Sequence, residues 1–403
     1  MRLDRDVLNP RGQVLIPTGT PIEAKHLRGL QAWGIKSVSV TLSSAPESVM
    51  EEAGITLMSS DEIDDFVSRM FALNSDQEQE ALVDTLKQLC IDRLSQFGIS
   101  EAVQTAHAST VEALDNVGDK PPPMTVDELI KMATSIATLP NIYFELQNVM
   151  RRPSSASTDM ANAIRSDPGL TARLLRIVNS AYYSFPSKIE TVSRAITIVG
   201  TDELTSLVTA TSVVKTFGKG LDGIFDMNMF WRHSIGAGVI ARILGAKRNE
   251  QNVERFFVMG LLHDIGRVLM FSHIPKHAKL AHQRAVSENL PLSQVESDDV
   301  GFSHAAAGAA LARNWRMSAG QQEAITYHHR PSFAMRYRTE AAITHMSDVL
   351  SHVLCSGHCS HSVLQPVDIE AWERLGLGLD VLAEILDEAD LKVRELIEIF
   401  FSE

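Results

Sequence analysis

The chain has 403 residues, enough for two or three domains, and its 44% hydrophobic and 22% charged content is an ordinary globular balance. A net charge of -13 argues against wrapping nucleic acid, which needs clustered Lys and Arg. The opening MRLDRDVLNP has charges of both signs and no apolar stretch, and no run of about eighteen apolar residues occurs anywhere. Secretion and a membrane span are therefore not expected. The three cysteines, Cys90, Cys355 and Cys359, cannot complete a disulfide framework and suit a reducing compartment, so the expected location is the cytoplasm.

The first element is a small α/β unit over residues 1–42. GQVLIP and KSVSV have strand character, Thr18-Gly19-Thr20-Pro21 is a turn, and Glu23 to Trp33 carries apolar residues at helical spacing before Gly34. Residues 43–120 follow as an acidic segment, with 16 Asp or Glu against 4 Lys or Arg. Within it, Ser59-Ser-Asp-Glu62 and Ser75-Asp-Gln-Glu78 are capping-box patterns, each leading into an apolar stripe. Two helices and a short joint predict a hairpin; the second stripe, Leu82 to Leu94, is too short for a sustained coiled coil.

Pro121-Pro122-Pro123 is a stiff spacer that no helix crosses. Beyond it, residues 121–403 read as helix upon helix. Thr125-Val-Asp-Glu128 is a third capping box, Asp167-Pro168 starts a helix, and Val192, Ala195, Ile196 and Val199 form one face closed by Gly200. The fold class expected is mainly all-α, with the α/β unit and the acidic hairpin ahead of it. No internal repeat of fixed period is evident.

The runs IRSDPGLTARLLRIVNSAYYSF, IETVSRAITIVGTDELTSLV, FWRHSIGAG and GLLHDIGRVLM, in order between roughly Leu139 and Pro331, resemble the HDOD family. This is a branch of the HD-domain superfamily found in bacterial signalling proteins. The resemblance implies a compact all-helical domain, HD-like in architecture, with a regulatory role and, in most members, no established chemistry. Leu170, Leu174, Leu175 and Val178 read as core, and Asn179 and Ser180 as helix-ending or buried hydrogen-bonding residues.

The polar residues then fall into a series: His233 in FWRHS, His263-Asp264 in LLHDIG, His304 in FSHAAAG, His328-His329 in ITYHHRP and Asp348 in HMSDVL. That order resembles the ligand series of two-metal HD phosphohydrolases. Imidazoles each give one lone pair, whereas a carboxylate such as Asp264 can span two ions held roughly 3.5 to 4 Å apart. His263 and Asp264 are read as neighbours on one helix, about a hundred degrees apart. The donor set suits one or two ions of iron, manganese or zinc.

Three departures weigh against a cyclic-dinucleotide hydrolase. Met229 stands where extra-metal enzymes carry a glutamate, Arg267 replaces the HD-x-G-K lysine, and RPSFAMRYR after His329 lacks a Gly-Tyr-Pro element. The expected function is a signal-transduction protein whose helical domain binds a protein partner or a small nucleotide ligand; a homodimer is open to it. The alternative is a metal-dependent phosphohydrolase, in which Asp264 bridges the ions and Arg267 holds phosphate. His345 and His352 share the helical face of Asp348 as supporting or packing residues. Cys355, His358, Cys359 and His361 match no zinc module and read as a helix end or loop.

Overall fold

The computed structural model describes residues 55–74, 80–100, 121–133, 141–150, 157–217, 221, 225–355 and 363–401, with 2–3, 7–8, 14–17, 20 and 40–41. The chain divides into two units, Met1–Thr56 and Leu57–Glu403. In the first, Arg2–Leu3 pairs antiparallel with Val40–Thr41, and Val7–Leu8 with Val14–Ile16, with a register shift between Val7 and Leu8. The Thr20 backbone N–H and hydroxyl both donate to Pro17 O. The predicted helix from Glu23 to Trp33 lies outside the described residues.

The second unit is helical, and local chemistry places many of its helix starts. Ser59 opens α1 (Ser60–Met70) and Thr125 opens α3 (Val126–Met132), each through a complete capping box. The Ser75 box ahead of α2 (Glu80–Phe97) lies outside the described residues. Next come α4 (Asn141–Met150), α5 (Ser157–Arg165) and α6 (Pro168–Val178), the last capped by the Asp167 carboxylate on Leu170 N–H. Asn179 ends α6, and its amide bonds Leu175 O and both backbone groups of Ile189. The stripe from Val192 buries one face of α7 (Val192–Val199), and Gly200, at φ 106°, turns the chain into α8 (Thr201–Phe217).

The centre of the body is α9 (Met227–Lys247), whose 21 residues are buried on nearly every face. Small residues let its neighbours approach: Gly238 faces the Phe257 ring, Gly245 faces the Phe256 ring, and Gly236 faces Ser351. Around it pack α10 (Glu254–Leu262), α16 (Arg338–Leu354) and α18 (Val381–Phe401), with α11 (Ile265–His273), α12 (Pro275–Ser287), α13 (Leu292–Asp299), α14 (His304–Asn314), α15 (Ala319–Tyr327) and α17 (Ile369–Leu375) completing the unit.

One apolar cluster runs through the whole second unit, from Ile63 and Leu86 in the acidic hairpin to Phe400 at the far end. The hairpin is fastened there by long-range bonds. Asn74 donates to Leu364 O and Gln365 O and accepts from Val367 N–H, while Leu364 N–H donates to Met70 O at 2.7 Å. The proline spacer is likewise laid on the body: His277 Nε2 donates to Pro122 O, and Met124 N–H to Val300 O. Among the described residues, no helix is long and apolar enough to cross a membrane.

Candidate metal centre

The segment Gly260-Leu-Leu-His-Asp-Ile-Gly266 is where several helices meet. Contrary to the single-helix expectation, His263 and Asp264 sit at a break: α10 ends at Leu262, α11 begins at Ile265, and Asp264 has φ -100° and ψ 7°. The two glycines allow backbone contact on both sides of the break. A Cβ at Gly260 would strike Ala237 O on α9, and one at Gly266 would strike His304 O and lie 2.6 Å from Gly308 N on α14. These close crossings bring His233 of α9 and His304, the first residue of α14, onto the break. His328 and His329 follow the last turn of α15, and Asp348 comes from the buried face of α16.

All seven predicted ligands meet at this point. His233 Nε2 lies 3.1 Å from Asp348 Oδ1 and 3.3 Å from His263 Nε2, and His263 Nε2 lies 3.4 Å from the same Asp348 oxygen. Asp264 Oδ1 is 3.7 Å from His263 Nε2 on that side; on the other it is 3.2 Å from His304 Nε2 and 3.5 Å from His328 Nε2. His329 Nε2 is 2.7 Å from His304 Nε2. Two donors each bonded at 2.1 Å to one ion stand about 3.0 Å apart at a right angle and about 3.4 Å apart at the tetrahedral angle. Most of the distances fall in or close to that range, in two sets that share Asp264 Oδ1.

The imidazoles are held in the form a metal needs. His263 Nδ1–H donates to Gly260 O at 2.6 Å, His328 Nδ1–H to Ile325 O at 2.7 Å, and His304 Nδ1–H to the Glu296 carboxylate at 2.6 Å. Each bond leaves Nε2 facing the cluster. Glu296 also accepts the His304 backbone N–H at 2.7 Å, which fixes both ring and helix end. No spacing rule marks Glu296 in LSQVESDD; only the packing of α13 against α14 shows its part. His345 points elsewhere: its Nδ1–H donates to His328 O and its Nε2 accepts Asp368 N–H, so it braces the chain that carries His328.

Buried polar atoms without a partner are uncommon in proteins, yet this cluster holds several. Asp264 Oδ1, His328 Nε2, His233 Nδ1 and His329 Nδ1 are buried and make no hydrogen bond. Burial opposes ionisation of Asp264 and Asp348, but the surrounding histidines hold both carboxyls well below the usual range. Burial likewise opposes charge on His263 and His304; Asp264 and Asp348 outweigh it for the first, and Glu296 and Asp264 push the second to about 10. Burial, together with neighbouring imidazoles, lowers His328 and His329. Two carboxylates are thus balanced by imidazolium protons, a role that divalent ions fill in metal sites. The donor set and the unsatisfied atoms fit such ions.

Arg267 donates through an Nη to Asp264 Oδ2 at 3.2 Å, and its guanidinium lies 5.4 Å from the Phe225 ring centre. Met229, in place of a carboxylate, packs with Ile99 in an apolar contact. Cys355 is buried with Sγ facing Arg232 O, while His358, Cys359 and His361 lie outside the described residues.

Residues 136–331 match the HDOD domain family. A curated protein of Treponema pallidum (strain Nichols), itself uncharacterized, is 27% identical over 209 residues, 49% of this chain. The match spans only 40% of that relative's length. Two crystal structures share the fold. An HDOD domain protein of unknown function from Geobacter sulfurreducens superposes with a TM-score of 0.54 at 24% identity, over 75% of this chain and 100% of its own. A proposed phosphohydrolase from Shewanella amazonensis SB2B gives 0.55 at 23%, over 68% and 97%. By the match over residues 136–331 and by its all-helical fold, this part of the chain is similar to the HDOD domain.

Proposed function

We propose that this is a cytoplasmic signal-transduction protein whose helical domain holds a centre of one or two divalent transition metals. In this reading the centre, or a small nucleotide ligand seated on it, sets the state that a protein partner reads. The observation that carries it is the convergence of seven imidazole and carboxylate side chains on two donor sets sharing one oxygen of Asp264. Imidazole-rich ligation favours iron, manganese or zinc over magnesium or calcium. Enclosure supports a regulatory rather than a freely turning-over centre, since no side chain of the cluster exposes more than 14% of its surface. Elemental analysis of protein purified from metal-replete cells tests the reading. One or two bound transition ions per chain are expected, and a metal-free protein that also fails to take up added ions would sink it.

A second reading is favoured by Arg267, which stands beside the shared Asp264. Paired ions, when bound, supply a Lewis acid and a deprotonated water for attack on a phosphoester. The residues of this chain would then act as follows. Asp264 holds the two donor sets together, and the Arg267 guanidinium, released from Asp264 Oδ2, forks onto phosphate oxygens. A screen of cyclic and linear nucleotides with added metal separates the two readings: turnover that vanishes in Asp264→Ala selects the hydrolase.

A further inference from the structure

The seven side chains, five of them imidazoles, leave out a sixth imidazole at the same place. His352 follows Asp348 by one turn of α16, and residues four apart share a helical face. Its Nε2 lies 3.4 Å from Asp348 Oδ1, the oxygen already faced by His233 Nε2 at 3.1 Å and His263 Nε2 at 3.4 Å. The His352 and His233 rings lie 4.4 Å apart, centre to centre, at 38°. One donor atom from each of His233, Asp348 and His352 falls within 4.8 Å of the others.

Hydrogen bonding does not explain this crowd. A carboxylate oxygen has two lone pairs, and a charged N–H donor sits at about 2.7 to 2.9 Å from it. Here three imidazole nitrogens surround one oxygen at longer range. Spacings of 3.1 to 3.4 Å between donors are instead the edges of a coordination shell with bonds of about 2.1 Å.

We infer that His352 is a metal ligand, completing the shell of the ion held by His233, His263 and Asp348. The inference rests on the metal-centre reading above and deepens it. It makes the two donor sets unequal. The set around Asp348 gains a protein nitrogen where a hydrolytic centre keeps a position for water or substrate, and so becomes the structural half. The set of His304, His328 and His329 with Asp264 gains no further protein donor from α16.

Cobalt(II) serves as the probe, because its visible absorption reports coordination number and its stoichiometry can be counted. Wild-type protein, His352→Ala and His352→Gln are stripped with chelator and titrated with cobalt. Loss of a merely supporting partner weakens a metal site roughly 10- to 100-fold. The expected result is a larger loss at one of the two cobalt sites in both variants, a changed absorption band, and an unchanged second site. Added imidazole should restore the band in His352→Gly. Variants that bind cobalt with wild-type affinity and spectrum overturn this inference alone, whereas wild-type protein that takes up no cobalt overturns the metal-centre reading with it. If His352→Ala fails to fold, His352→Gln gives the same decision.

Discussion

Two buried polar clusters hang on the same helix, α9, and are finished in opposite ways. Near its C-terminal half, Glu254 accepts the Tyr182 hydroxyl at 2.7 Å on one oxygen and Arg242 Nε at 2.5 Å on the other, and the Arg242 guanidinium lies 4.5 Å from the Tyr182 ring centre. Burial opposes the charge on Arg242, but Tyr182 and Glu254 outweigh it and raise its pKa; burial and Glu254 raise the Tyr182 hydroxyl well above its usual value. Here donors are matched to both Glu254 oxygens. At the other end, around His233, the donor atoms crowd against one another and leave Asp264 Oδ1 and His328 Nε2 without hydrogen bonds. The lesson is general: a structural polar network spends its lone pairs internally, while a ligand set presents them outward to a shared point.

The comparison can be broken from either side. The largest effect is expected at Glu254→Ala, which strands the mostly buried Arg242 charge and should cost about 3–5 kcal/mol in urea unfolding, with or without metal. A cost that depended on metal would mean the two clusters are not separate in kind. Next comes metal itself. At a free-ion concentration near 100 times Kd, wild-type protein should gain about 2.7 kcal/mol over the chelated form, and Asp264→Ala should lose that gain. Stabilisation that survives in Asp264→Ala would place the histidine cluster with the structural one.

Gly266→Ala sharpens the geometry. The added methyl meets the backbone of His304 and Gly308, so a loss of about 1–3 kcal/mol is expected, together with weaker metal binding as His304 moves off Asp264. Wild-type affinity in a destabilised Gly266→Ala would separate the crossing from the site.

The smallest effect serves as the baseline. Asp167→Ala removes a helix cap outside both clusters and should cost about 1 kcal/mol without changing metal affinity. The Leu170 N–H, with Lys215 nearby, holds the Asp167 carboxyl below its usual 3.8 against the opposing effect of burial. Its contribution is therefore fully present above pH 3.8 and fades as pH falls through the lower folded value. Urea midpoints of wild type and variant should converge in acid.

By itself, the sequence determined what nearest neighbours decide. The caps at Ser59, Thr125 and Asp167 and the Val192 stripe were legible because each acts within one or two turns, and together they carried the all-α class. The donor types that converge there were legible too, because imidazole and carboxylate chemistry is written in residue identity. What depended on residues far apart was decided only by tertiary structure. The break at His263-Asp264 lies between two glycines at which α9 and α14 cross closely. Glu296 joins His304 through the packing of α13, and His345 turns away to the backbone of His328 and Asp368. His352 shares the helical face of Asp348 in the sequence, but its approach to His233 needed α9 and α16 to pack side by side. The acidic hairpin reads as a separate piece by charge, yet Asn74 ties it to residues nearly three hundred positions away, because apolar burial and backbone hydrogen bonds take no account of where net charge changes along the chain.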